Sequence, residues 1–108
     1  MMKFGTSFLK NMLEVLYSLK SKSDLISIFE SIKEDKPNAA KDYTRKLKEY
    51  IELLKANPSM GSDCKNKNLK TKCKVVVFRS HLILYKLKSK KLYILRVINS
   101  KENYKTKL

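Results

Sequence analysis

The chain has 108 residues, 43% of them hydrophobic, which is enough for one domain around one modest core and too much for a wholly disordered chain. No apolar run approaches the roughly 20 residues that cross a bilayer, so no membrane association is expected. The formal charge of +15 is unevenly placed: residues 59–108 hold 14 basic and 2 acidic side chains, against 11 and 8 in residues 1–58.

Residues 1–11, with Phe4, Phe8 and Leu9, form a possible N-terminal extension to a single domain over 1–108. Lys10, Asn11 and Glu14 interrupt its apolar residues, which argues against a signal peptide. Leu13–Leu19 is the first strand candidate, and Ser18 to Ser23 is short and polar, as a turn would be. Leu25, Ile28, Phe29 and Ile32 then follow helical spacing, so a helix is expected from about Asp24 to Glu34, with Ser21 or Ser23 as its cap. Asp35-Lys36-Pro37-Asn38 breaks that helix, and proline at the break can open another. Ala39, Ala40, Tyr43, Leu47, Tyr50, Ile51 and Leu54 form one apolar stripe, with Lys41, Arg45, Lys48, Glu49, Glu52 and Lys55 on the other side. This second helix ends at Ala56-Asn57-Pro58.

Ser59 to Lys72 lacks apolar periodicity and reads as a loop. From Cys73 to Asn99 the chain carries three apolar runs, Val75–Phe78, Leu82–Leu87 and Leu92–Ile98, separated by Arg79-Ser80-His81 and Lys88-Ser89-Lys90-Lys91. Breaks this short pair neighbouring strands antiparallel. The order β-α-α-β-β-β is an α+β fold: an antiparallel two-helix hairpin covering one face of a small antiparallel sheet.

The charge of residues 59–108 attracts nucleic acid, an anionic surface or an acidic protein. Composition bias is the alternative, since the only arginines are Arg45, Arg79 and Arg96. Cys64, Cys73 and the single His81 cannot supply a zinc site, and the two thiols suggest a reducing, cytoplasmic setting, with a disulfide as the lesser possibility. Asp63 and Glu102 are the only acids after Glu52, so paired carboxylates for metal-dependent hydrolysis are missing. With only Gly5 and Gly61 there is no glycine-rich phosphate loop. No cofactor is expected.

Several local patterns resemble the RelE/ParE superfamily, the toxin halves of bacterial type II toxin–antitoxin pairs. Ser18-x-x-Ser21-x-x-Asp24-Leu25 resembles the family's S-x-x-A-x-x-D-L; Pro37-Asn38-Ala39-Ala40 its P-x-A-A; Asn57-Pro58-Ser59-Met60-Gly61 its N-P-x-M-G. Ser80-His81-Leu82-Ile83-Leu84-Tyr85 is similar to S-H-L-I-x-Y, and Ile94-Leu95-Arg96-Val97 to I-L-R-V, of ParE-type strands. The chain departs from the ParE continuation L-H-x-R-x-D at Ile98 to Asn103.

The resemblance implies a toxin neutralised by a cognate antitoxin with an acidic binding segment, in a toxin–antitoxin hetero-oligomer. Its target would be DNA gyrase, inhibited by binding. A RelE-like chain would instead cleave messenger RNA in the ribosome, with Arg79, Arg96, Lys101 and Tyr104 as the candidate catalytic set. Lys70, Lys72, Lys74 and Arg79 are the candidates for target or nucleic-acid binding. A third possibility is a small basic nucleic-acid-binding protein without toxicity. His81 alone has an ordinary pKa near neutrality, but its place inside a strand suits packing better than catalysis.

Overall fold

Local sequence signals translate into β1 (Glu14–Tyr17), α1 (Leu19–Asp35), α2 (Pro37–Ala56), β2 (Ser62–Asp63), β3 (Lys74–Phe78), β4 (His81–Lys88) and β5 (Lys91–Asn99). The computed structural model describes residues 13–64 and 73–101. The possible N-terminal extension at 1–11 lies outside them. The strands form one sheet in the order β1-β5-β4-β3-β2.

The meander β3-β4-β5 is antiparallel throughout. At the sheet's end, however, β1 pairs parallel to β5, from Glu14 opposite Lys91 to Tyr17 opposite Ile94, so the sheet is mixed rather than purely antiparallel. The helical hairpin lies between β1 and β2 in sequence, and β1 returns beside the last strand, which no short-range pattern encodes. Tight turns join the meander. The β4–β5 turn places Ser89 and Lys90 at φ of 53° and 61°, the left-handed region that hairpin turns of this length use.

α2 follows its stripe. Ala40, Leu47, Ile51 and Leu54 are buried, while Lys41, Arg45, Lys48, Glu49 and Glu52 face outward. On that outer side Arg45 pairs with Asp42 at 2.6 Å and with Glu49 at 2.9 Å, and Lys46 pairs with Asp42 at 3.2 Å. Hydrogen bonds from Lys46 and Arg45 hold the Asp42 carboxyl below its ordinary pKa. The core joins Ile28 of α1 and Leu47, Ile51 and Leu54 of α2 to Val76, Ile83, Tyr85, Leu92, Ile94 and Val97 of the sheet.

α1 starts earlier than the sequence suggests. Ser18, not Ser21 or Ser23, is its cap, accepting from the Ser21 amide at 3.0 Å. The same hydroxyl donates to the Leu95 carbonyl of β5 at 2.8 Å, so the helix start is set by a tertiary contact. Ser18–Ser23 is therefore the cap and first residues of a helix and not the expected turn between strand and helix.

The expectation of two free thiols is also corrected, because Cys64 and Cys73 form a disulfide. Ser62 and Asp63 pair with Val75 and Lys74, which makes Cys64 and Cys73 the next opposed residues, 5.4 Å apart at Cα. The Cys64 amide donates to the Cys73 carbonyl at 2.9 Å. A two-residue strand carries no periodic signal, so this juxtaposition was invisible in the sequence, and with it goes the argument from free thiols to a reducing compartment. No helix among the described residues is long and apolar enough to cross a membrane.

Two measurements test this architecture. Leu47→Ala should cost about 2–5 kcal/mol in denaturant melts, whereas Lys48→Ala should change stability by less than about 0.5 kcal/mol; equal losses would refute the assigned helix face. Replacing Cys64 and Cys73 together by Ser should lower stability by about 2–3 kcal/mol through the freed loop of the unfolded chain. Thiol titration of the oxidised protein should find no free thiol, and two after reduction.

Candidate functional site

Four of the five patterns singled out in the sequence meet in two pairs in space. Ser18 and Asp24, from the start of α1, sit against Leu95, Arg96 and Val97 of β5. Arg96 donates to Asp24 through Nε and Nη2, both at 2.8 Å, and the Val97 amide donates to the same carboxylate at 2.9 Å. The reason lies in the strand edge. β1 pairs β5 only as far as Ile94, after which the Ser18 amide donates to the Ile94 carbonyl at 3.0 Å and the chain turns into α1. Asp24 then takes the place of the missing strand for Val97. A bulge helps: Tyr85 opposes Ile94 but Leu84 opposes Arg96, leaving Leu95 without a partner. Strict alternation would put Arg96 on the face of Ile94. The bulge places it on the opposite face, still with Ile98.

A second junction joins the segment after α2 to β4. The Tyr85 hydroxyl donates to the Pro58 carbonyl at 2.8 Å and accepts from the Gly61 amide at 2.9 Å. A Cβ at Gly61 would stand 2.7 Å from that hydroxyl and 2.9 Å from the Val75 carbonyl, so glycine is required by close approach. The N-P-x-M-G and S-H-L-I-x-Y patterns are thus two sides of one contact.

Between α1 and the far end of β5 lies a groove of about 400 Å³ lined by Asp24, Ser27, Ser31, His81, Arg96 and Asn99, with Ile28, Ile32, Val97 and Ile98 beneath. At its rim, His81 Nδ1 and the Tyr43 hydroxyl share a hydrogen bond of 2.6 Å. Arg79, at φ 54° in the β3–β4 turn, lays its guanidinium 5.6 Å from the Tyr43 ring and 5.2 Å from that of Phe78. Burial pushes the Tyr43 hydroxyl above its ordinary pKa, with backbone hydrogen bonding at Ser80 and the Arg79 charge acting against it. Tyr43 therefore stays protonated at neutral pH.

The candidate residues are scattered across this framework. Arg79 is stacked on aromatics in the β3–β4 turn, and Arg96 is held by Asp24 beside β5. Lys101 is exposed just beyond β5, where its amide donates to Asn99 Oδ1 at 2.9 Å. Lys74 is at the far end of β3, paired with Asp63 at 3.1 Å. Lys70, Lys72 and Tyr104 lie outside the described residues. Sequence reasoning missed Asp24 as the partner of Arg96 and Tyr43 as the partner of His81. The S-x-x-A-x-x-D-L pattern signals the first, because it marks the aspartate at the start of α1. No sequence signal links Tyr43 to His81. No group of three or more potential metal ligands occurs among the described residues.

The Arg96–Asp24 pair is mostly buried, with side-chain exposures of 17% and 14%. Asp24→Ala removes the carboxylate to which both the guanidinium and the Val97 amide donate and should cost about 2–4 kcal/mol. A melt shifted no more than that of a surface variant would show the junction to be dispensable.

Comparison with known proteins agrees with this framework. The family model described as ParE toxin of type II toxin–antitoxin system, parDE, matches residues 15–104, a span that includes both junctions. Among solved structures, the chain is similar to one from the chromosomal ParDE TA system of P. aeruginosa, with a TM-score of 0.68 and 16% identity over 82% of this chain and 96% of that one. No curated protein sequence matches it. From the helix-start lock to the end of the meander, this chain belongs to the ParE toxin family of type II toxin–antitoxin systems.

Proposed function

We propose that the chain acts by binding, as an inhibitor of DNA gyrase in the cytoplasm, and that a cognate antitoxin neutralises it in a hetero-oligomer. The observation that carries this reading is the ParE family match across residues 15–104. The chromosomal ParDE system with the similar fold supports the antitoxin partner. Charge complementarity supports an acidic binding segment in that antitoxin, because residues 59–108 carry 14 basic and 2 acidic side chains.

The geometry of two candidates also favours binding over cleavage. A nuclease needs cations free to meet charge as it develops on the phosphorane. Arg96 is held bidentate by Asp24, and the Nδ1 of His81 is engaged by Tyr43. A RelE-like ribosome-dependent endoribonuclease would have to open both arrangements or work through Arg79, Lys101 and Tyr104 alone.

A paired assay separates the readings. One arm incubates the purified protein with gyrase and relaxed or supercoiled DNA; the expected result is lost supercoiling or trapped breaks. The other adds it to programmed ribosomes, where uncut messenger is expected. Replacing Lys70, Lys72 and Lys74 by Gln should weaken the gyrase effect without unfolding the protein. Cuts at the A-site codon that vanish on Tyr104→Phe, with gyrase unaffected, would replace this function with the RelE-like one. Inactivity in both arms would leave only the non-toxic binding protein.

A further inference from the structure

The β4–β5 ribbon carries a concentration of charge of its own, which begins at Lys86, next to Lys74 on the neighbouring strand. Its strands pair Lys86 with Tyr93, Leu87 with Leu92 and Lys88 with Lys91. Leu92 is in the core, so Lys86, Lys88, Lys91 and Tyr93 share the face turned away from the helices. Lys90 stands in the turn between them. Lys88, Lys90 and Lys91 are exposed, and Lys86 lies with its ammonium 5.6 Å from the centre of the Tyr93 ring. No salt bridge engages any of these four lysines among the described residues; the nearest acids are Glu14, opposite Lys91 across the β1–β5 pairing, and Asp63, which lines one surface pocket with Lys86 and is itself paired with Lys74.

This arrangement works against the ribbon itself. Like charges directly opposite each other destabilise a strand pair, and Lys88 faces Lys91. The turn adds Ser89 and Lys90 at positive φ where glycine or asparagine is favoured. A regularly spaced polyanion would relieve the repulsion. Lys86 and Lys88 are two residues apart on one face, an advance of about 6.8 Å along the strand, so their ammonium groups form a row along which an extended polyanion can lie. Tyr93 lies among the lysines as a flat surface on which a base can stack, the combination used by single-strand binders.

We propose that the outer face of the β4–β5 ribbon binds single-stranded nucleic acid, with Lys86, Lys88 and Lys91 on the phosphates and Tyr93 against a base. The site needs neither gyrase nor ribosome, so its test is independent of the function proposed above.

Fluorescence anisotropy of a labelled single-stranded 20-mer, titrated with the purified chain over a range of salt, measures it. The parent should bind at low salt, with affinity falling as salt rises. Lys86→Gln, Lys88→Gln and Lys91→Gln together should weaken binding at least about tenfold and reduce the log–log salt slope by about 2. Tyr93→Ala should weaken it by about tenfold. A control triple on α1, Lys20→Gln, Lys22→Gln and Lys33→Gln, removes the same charge elsewhere and should change affinity less than about twofold. Circular-dichroism melts establish that each variant is folded at the assay temperature. The proposal is overturned by no binding by the parent, by equal weakening by both triples, or by an unchanged affinity of Tyr93→Ala. Polyglutamate bound as tightly as the 20-mer would likewise overturn it, assigning the face to an acidic protein.

Discussion

One carboxylate holds the architecture together. Asp24 stands where β1 stops and α1 begins, and it accepts from the Arg96 side chain and from the Val97 amide. A strand edge that loses its neighbour midway exposes backbone donors, and buried donors without acceptors are costly. Asp24 meets that need while fixing the direction in which α1 leaves the sheet. The Leu95 bulge is part of the same solution, because the extra residue carries Arg96 to the opposite face of β5 and its guanidinium still reaches the carboxylate at the edge. Ser18 secures the other side by capping α1 and bonding the Leu95 carbonyl. The helical hairpin is thereby oriented by hydrogen bonds at its base as well as by the apolar contacts along its length.

Elements with strong periodicity could be read from the chain. The stripe from Ala40 to Leu54 reports α2 because 20 residues of amphipathic spacing leave little alternative. The runs from Val75 to Ile98 report the meander because their breaks permit only tight turns. What failed to show in the sequence depends on distant partners. The start of α1 rests on Leu95, the two residues of β2 rest on β3, and the disulfide follows from that pairing. The parallel seat of β1 beside β5 is likewise a property of the assembled sheet. The bulge is a local irregularity that strict alternation cannot anticipate.

The candidate residues were legible as types and not as partners. Arg96 stood out as a conspicuous cation, and the structure gives it Asp24; His81 stood out as the single histidine, and the structure gives it Tyr43. Family patterns supplied what physical reading could not, since Gly61 and Tyr85 have no evident link until they are seen in contact. The same patterns explain themselves as packing and hydrogen bonding, which is why they identify the fold and family more directly than a target. The lysines of the β4–β5 ribbon show the converse: each is ordinary in sequence, and only strand register places them on one face.

The seat of β1 beside β5 has a further consequence for synthesis. Glu14–Tyr17 finds its partner only in residues 91–94, nearly the full described length away. Contacts of such sequence separation close late, after shorter-range hairpins have formed. On the ribosome, residues 13–64 emerge with the helical hairpin and β1 but without the three central strands that carry most of the core. Asp24 likewise waits for Arg96. Cotranslational folding therefore stalls short of the native state until β5 has cleared the exit tunnel. The growing chain meanwhile exposes the apolar faces of both helices, so a chaperone or a partner protein has its earliest opportunity to engage the chain then, before any finished surface exists.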